Sequence, residues 1–185
     1  MRVIAGSARR LRLVTPQGND TRPTQDRIKE TLFNMIQNDV PGSVFIDLFA
    51  GSGGIGIEAL SRGASRAYFV ENSNDAYKCI LTNLSTTHFE DDATVLKQDV
   101  VLALRNIREK EADIIFVDPP YHGEHYERVL AQLSQMDYVT DSTMIIIECS
   151  LDMDFSFAES YGFEVRRQKE YKTNKNVFIY RKAKA

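Results

Sequence analysis

The chain has 185 residues, 43% hydrophobic and 26% charged, which suits one globular domain able to cover both faces of a sheet with helices; a large second domain is not expected. Its longest apolar runs, 44–50 and 114–117, fall far short of the roughly 20 residues of a membrane span, and no long apolar stretch follows Met1-Arg2-Val3-Ile4-Ala5-Gly6, so no secretory signal is read and a cytoplasmic protein is expected. A net charge of −3 argues against indiscriminate coating of nucleic acid.

The charge is nevertheless uneven. Residues 1–30 hold Arg2, Arg9, Arg10, Arg12, Arg22, Arg27 and Lys29 against Asp20, Asp26 and Glu30, a surplus of four positive charges that leaves −7 for the rest of the chain. Residues 1–20 are short apolar pieces broken by Gly6, Pro16 and Gly18, which predicts an arm or small hairpin outside the core. A basic arm over residues 1–22, ahead of a main domain at 23–185, reads as a phosphate-binding surface.

Thr24 offers a hydroxyl N-cap, and Ile28, Leu32, Phe33 and Ile36 recur at helical spacing until Pro41-Gly42. An alternation then begins, with strands expected at about 44–49, 67–71, 94–97, 113–118 and 143–149 and helices near 54–62, 73–84, 101–110 and 123–136. Continuously apolar strands such as Ile114-Ile115-Phe116-Val117 fit a parallel sheet covered on both faces. This predicts a doubly wound, Rossmann-like α/β fold. Strands at 163–170 and 176–182 around Lys172-Thr173-Asn174-Lys175 would close it as an antiparallel hairpin.

Between the first strand and the next helix runs Asp47-Leu48-Phe49-Ala50-Gly51-Ser52-Gly53-Gly54-Ile55-Gly56. Gly51, Gly53 and Gly56 satisfy a dinucleotide-binding spacing, and Glu71 lies 20 residues beyond Gly51, where a ribose-binding acid belongs. That pattern alone fits a nicotinamide dinucleotide as well as S-adenosylmethionine. Asp47 separates the two, because a carboxylate there repels a pyrophosphate but stabilises an ammonium and a sulfonium. Four glycines in six residues exceed what a bare turn needs. Glu71 can accept from both ribose hydroxyls, and Asp99, after the third strand, from an adenine amine, with Asp91 and Asp92 as competitors.

Asp118-Pro119-Pro120-Tyr121 follows the fourth of these strands. Two prolines stiffen the backbone where open α/β sheets bind ligands. An exocyclic amine on a base is a poor nucleophile because its lone pair is delocalised; hydrogen bonds accepted from its N–H groups by the Asp118 carboxylate and the Pro119 carbonyl oppose that delocalisation. Proline's missing N–H keeps the surface rich in acceptors, and Tyr121 offers a stacking face for a base extruded from its helix. Attack on a sulfonium methyl is then an in-line displacement that demands chiefly orientation. A DNA adenine-N6 or cytosine-N4 methyltransferase could use a similar tetrapeptide, but such enzymes need more surface to read a duplex.

Two cysteines, Cys79 and Cys149, read as small buried hydrophobes. His122 and His125 could share a helical face, yet no cluster completes a metal set, and no metal is expected.

Taken together, Arg2-Val3-Ile4-Ala5-Gly6, Thr21-Arg22-Pro23-Thr24-Gln25-Asp26-Arg27, the stretch 47–63 and Asp118-Pro119-Pro120-Tyr121 resemble bacterial 16S ribosomal RNA guanine-N2 methyltransferases, the type acting on guanine 966 of the small subunit. The resemblance implies a seven-stranded fold that binds S-adenosylmethionine at Asp47, Gly51, Gly53, Glu71 and Asp99, with Phe49, Ser52, Asn72 and Val100 alongside. It implies catalysis at Asp118, Pro119, Pro120 and Tyr121 on 16S rRNA, within an assembling 30S particle; the crowding of basic residues ahead of an acidic body makes Arg2, Arg9, Arg10, Arg12, Arg22 and Arg27, with Thr24, the expected RNA contacts. A monomer without metal or membrane association is expected. One departure is visible: the family usually has glycine where this arm has Arg10.

Overall fold

A computed structural model describes residues 1–16, 23–120 and 124–183, without the side chains of 23–25 and 124. Helix α1 spans Pro23–Met35 and is followed by strand β1 (Val44–Leu48), α2 (Gly54–Ser61), β2 (Arg66–Val70), α3 (Asn74–Thr87), β3 (Ala93–Leu96), α4 (Val100–Asn106) and β4 (Ile114–Val117). The chain continues through α5 (Glu124–Leu133), β5 (Met144–Ser150), β6 (Phe163–Glu170) and β7 (Asn174–Arg181). Short 3-10 turns occupy Glu90–Asp92 and Ser156–Tyr161. Thr24 lies inside α1, because the helix begins one residue earlier, at Pro23; proline suits a first helical position, whose N–H has no partner anyway.

The strands form one seven-stranded sheet in the order β3-β2-β1-β4-β5-β7-β6. Neighbours from β3 to β5 are parallel, and β7 runs antiparallel to both β5 and β6. The doubly wound fold and its one reversed strand are thus as the alternating pattern predicts. The expected turn at 172–175 is shorter, because Asn174 and Lys175 already pair with Ser150 and Cys149 of β5. Strand β6 is the outer edge, so the lysine-rich hairpin lends only one of its two strands to the rim.

Each face of the sheet carries its own core. On one, Ile46, Leu48, Ile115, Val117, Ile145 and Ile147 pack against Ala103 and Leu104 of α4 and Val129, Leu130 and Leu133 of α5. On the other, Phe45, Phe69, Phe116, Ile146 and Phe178 pack against Leu32 and Phe33 of α1, Ile57 of α2 and Ile80 of α3. Alternate residues of one strand therefore reach both cores, the physical reason for strands without polar alternation.

The N-terminal segment corrects one expectation. It is a hairpin, with Arg2 bridging Arg12 in antiparallel fashion, but Val3, Ala8 and Leu13 are buried and join the second core. The segment is seated on α2 through main-chain groups. Glu58 accepts from the amides of Ile4 (2.9 Å) and Ala5 (3.0 Å), and the Ser61 hydroxyl accepts from the amide of Ala8 and donates to the Ala5 carbonyl. From α3, Asn83 accepts from the Val14 amide and donates to its carbonyl, while also donating to the Ser52 carbonyl in the glycine loop. Glu58 itself, with no exposed surface, pairs with Lys29 (3.2 Å) and Arg62 (2.8 Å). Removing one member of such a buried cluster strands the others and costs about 3–5 kcal/mol.

Candidate active site at the carboxyl ends of β1 and β4

From β1 the chain winds outward through β2 to β3, and from β4 it winds the other way to β5, so the reversal falls between β1 and β4. Open α/β sheets bind ligands outside the carboxyl ends at such a point. Leu48 of β1 is in register with Val117 of β4, which brings the glycine loop level with Asp118.

Asp47 is buried, and its Oδ2 accepts from the amide of Gly56 at 2.9 Å, drawing the start of α2 under the loop. Its carboxylate therefore holds the loop as well as lending it negative charge. Phe49 sits at φ 61°, a left-handed conformation that non-glycine residues adopt at a cost, and its ring meets the edge of His125 at 5.8 Å. Gly51 and Gly53 also have positive φ, and a Cβ on Gly51 would meet nothing within 4 Å, so the loop is open on that side. Gly56 serves packing instead: a Cβ there would lie 2.4 Å from the Phe69 ring.

Glu71 follows β2 and spans the rim, accepting from the Gly51 amide at 2.9 Å and the Ser73 amide at 2.8 Å. Asn72 beside it is exposed, whereas Ser52 is buried under the loop. Asp99 caps α4 by accepting from the Val101 amide and pairs with Arg128 at 3.1 Å, next to buried Val100. Asp91 and Asp92 precede β3, which places them at the amino end of that strand, away from the site. Asp99 is thus the acid at the site's edge.

Asp118 and Pro119 lie directly beyond β4, Pro119 buried and Asp118 presenting a solvent-open face; Tyr121 and His122 lie outside the described residues. Surrounding protein, then the charges of Glu148 and Asp47, push the Asp118 carboxyl up to about 8, and water on its open face moderates that rise. Burial raises Asp47 to about 7 against the opposing Gly56 hydrogen bond. Burial also raises Glu148 at the end of β5, opposed by the amide of Asn174 donating to its Oε1 at 2.6 Å. Sequence reasoning missed Glu148, although a lone acid in the apolar run of β5, one position after the partner of Val117, was a readable signal.

Three clustered acids favour a cation. Among the described residues no lysine or arginine makes an ion pair with Asp47, Asp118 or Glu148. That charge, with the open face of Gly51 and the acid at Glu71, fits the sulfonium and ammonium of S-adenosylmethionine and opposes a pyrophosphate. Among the described residues no group of three metal-ligating side chains occurs, and no helix is long and apolar enough to cross a membrane.

Of the RNA-contact candidates, Arg2, Arg9, Arg10, Arg12 and Arg27 are exposed, and Arg2 pairs with Asp26 at 3.1 Å. Arg22 and the side chain of Thr24 lie outside the described residues. Arg10 adopts φ 74°, a left-handed conformation that glycine takes without strain.

Residues 1–181 match the family described as "Conserved hypothetical protein 95". The Bacillus subtilis protein "Putative rRNA methyltransferase YlbH" is 36% identical over 184 residues, spanning 98% of this chain and 99% of its own. "Ribosomal RNA small subunit methyltransferase D" of Haemophilus influenzae is 32% identical over 163 residues, covering 87% of this chain and 84% of its own. Among solved structures, "Putative methyltransferase yhhF" from Escherichia coli superposes with a TM-score of 0.82 at 28% identity, over 100% of this chain and 99% of its own.

Proposed function

Since the chain belongs to the ribosomal RNA small subunit methyltransferase D family, the family of conserved hypothetical protein 95, we propose that it methylates ribosomal RNA of the small subunit with S-adenosylmethionine as donor. The finer reading is transfer to the exocyclic N2 amine of guanine 966 in 16S rRNA, on a base turned out of its helix. The single observation that carries it is Asp118-Pro119 held at the reversal point, level with the glycine loop and among acids that make no ion pair with a lysine or arginine of the described residues.

When bound, S-adenosylmethionine supplies an electrophilic methyl group on a cationic sulfur. The residues of this chain do the rest. Gly51 leaves the backbone open to the donor, Gly53 lets the loop pack closely on Phe69 and Ile80, Glu71 offers carboxylate lone pairs to the donor's ribose hydroxyls, and Asp99 stands at the adenine end. The Asp118 carboxylate and Pro119 carbonyl accept the two amine hydrogens and aim the nitrogen's lone pair at the methyl. The raised affinity of Asp118 for protons equips its carboxylate to take the one released by the methylated amine. Tyr121 is the stacking face of this reading. The exposed arginines of the hairpin contact RNA phosphate, which positions the substrate without reading its sequence. The protein acts in the cytoplasm, as a monomer, on an assembling 30S particle.

The test is to incubate the protein with unmethylated 16S rRNA, 30S particles and duplex DNA, and to map the product by mass. Methyl on N2 of guanine 966 is expected, with Asp118→Ala reducing turnover by at least about a thousandfold while donor binding survives. Methylation confined to DNA overturns the reading.

A further inference from the structure

On the side of Asp118 away from the glycine loop, β5 and β7 bring Glu148, Asn174 and Asn176 together. Glu148, near the carboxyl end of β5, lies beside Asp118, since Ile147 and Val117 are register partners and both strands run parallel. Across the antiparallel pair, Glu148 faces Asn176 of β7, and Asn174 lies two residues along on the same face. The Asn174 amide group donates to Glu148 Oε1, and the hydroxyl of Tyr126 donates to the Glu148 carbonyl, so both the side chain and its strand are held in place. Asn176, with no exposed surface, donates to the Tyr171 hydroxyl at 3.1 Å. The amide oxygens of Asn174 and Asn176 are buried with no donor in contact, an arrangement that costs about 1–3 kcal/mol each unless something satisfies it.

The partly exposed Glu148 carboxylate beside Asp118 selects a ligand edge made of donors. Among the four RNA bases only guanine presents two adjacent donor groups there, N1–H beside the N2 amine; adenine and cytosine place a ring acceptor next to their amines, and uracil has no amine. We propose that Glu148, oriented by Asn174, accepts the N1–H of the target guanine while Asp118 and Pro119 hold its N2 amine, so that Glu148 is a specificity-determining residue of the site. This rests on the guanine-N2 reading above. With the cationic donor bound and favouring the ionised form, the Glu148 carboxylate beside the ring acceptor of adenine would set lone pair against lone pair, which rejects that base more sharply than loss of a contact alone.

The discriminating substrate is RNA carrying 2,6-diaminopurine at the target position. It keeps the 2-amine that receives the methyl but has a ring acceptor at position 1 in place of N1–H. The wild-type protein is expected to methylate guanine at least about tenfold faster than diaminopurine, measured as kcat/KM on 30S particles reconstituted with either base. Glu148→Gln can still accept from guanine through its amide oxygen but can also donate to diaminopurine. Its preference for guanine should collapse by about tenfold or reverse. A wild-type protein indifferent to the substitution, or an active Glu148→Gln variant with the wild-type preference, overturns the assignment. If Glu148→Gln is inactive on both RNAs, the wild-type ratio decides alone. Failure of the wild-type protein to methylate guanine N2 on any small-subunit RNA would instead sink the underlying function, a separate result.

Discussion

Asp118, Asp47 and Glu148 all resist ionisation in a site that gains from being negative when its donor arrives. Unfolded, Asp118 and Asp47 titrate near the ordinary carboxylate value of about 4; in the fold they are held at about 8 and about 7. The unfolded chain therefore loses these protons first as pH rises. The stability they confer is complete below about pH 4 and disappears progressively towards pH 8. The melting temperature of the donor-free protein should accordingly fall between pH 5 and pH 8, and Asp118→Asn should flatten that fall. Added S-adenosylmethionine should raise the melting temperature more at pH 8 than at pH 6. A slope that Asp118→Asn leaves untouched would assign the titration to other groups. Asp118 and Pro119 were legible in the sequence as an unusual tetrapeptide after an apolar strand, and Glu71 as an acid at a fixed distance from a glycine loop. Glu148 was harder to see, because its meaning comes from register with another strand, and register is set by packing across the sheet.

At the level of elements, the strands were legible because each is apolar along its whole length, and the helices because their apolar positions recur. The N-terminal hairpin was misjudged for a physical reason. Its apolar residues come in short pieces broken by glycine and arginines, yet Glu58, Ser61 and Asn83 satisfy its backbone from α2 and α3, which lets Val3, Ala8 and Leu13 enter the core. No local pattern announces bonds between residues more than fifty positions apart. Within this hairpin Arg10 holds a left-handed conformation that costs a side chain roughly 1–2 kcal/mol. Glycine relieves that cost but gives the unfolded chain more freedom, which returns part of it. Arg10→Gly is therefore expected to stabilise the protein by about 0.5–1 kcal/mol, seen as a rise of about 1–3 °C in a thermal melt. A lower melting temperature would mean that the arginine side chain contributes more than its backbone costs.

Taken as a whole, the molecule carries positive charge at both ends of its sequence, a surplus of four in residues 1–30 and of six in residues 163–185, around a strongly negative middle. Among the described residues no acid makes an ion pair with Arg9, Arg10 or Arg12. Phosphates are natural partners for such arginines, and each contact releases condensed counterions. Changing Arg9, Arg10 and Arg12 together to Glu should weaken RNA binding by at least about tenfold and make log Kd less steep against log salt by roughly two units. An unaltered slope would remove the hairpin from the RNA interface. The way this hairpin is fastened has an evolutionary corollary. Its attachment to the body uses main-chain amides of Ile4, Ala5, Ala8 and Val14, which every residue except proline possesses, so the outward side chains can be exchanged with little effect on where the loop sits. Lineages could in this way retune how firmly the enzyme grips its ribosomal target while inheriting an unchanged catalytic chassis.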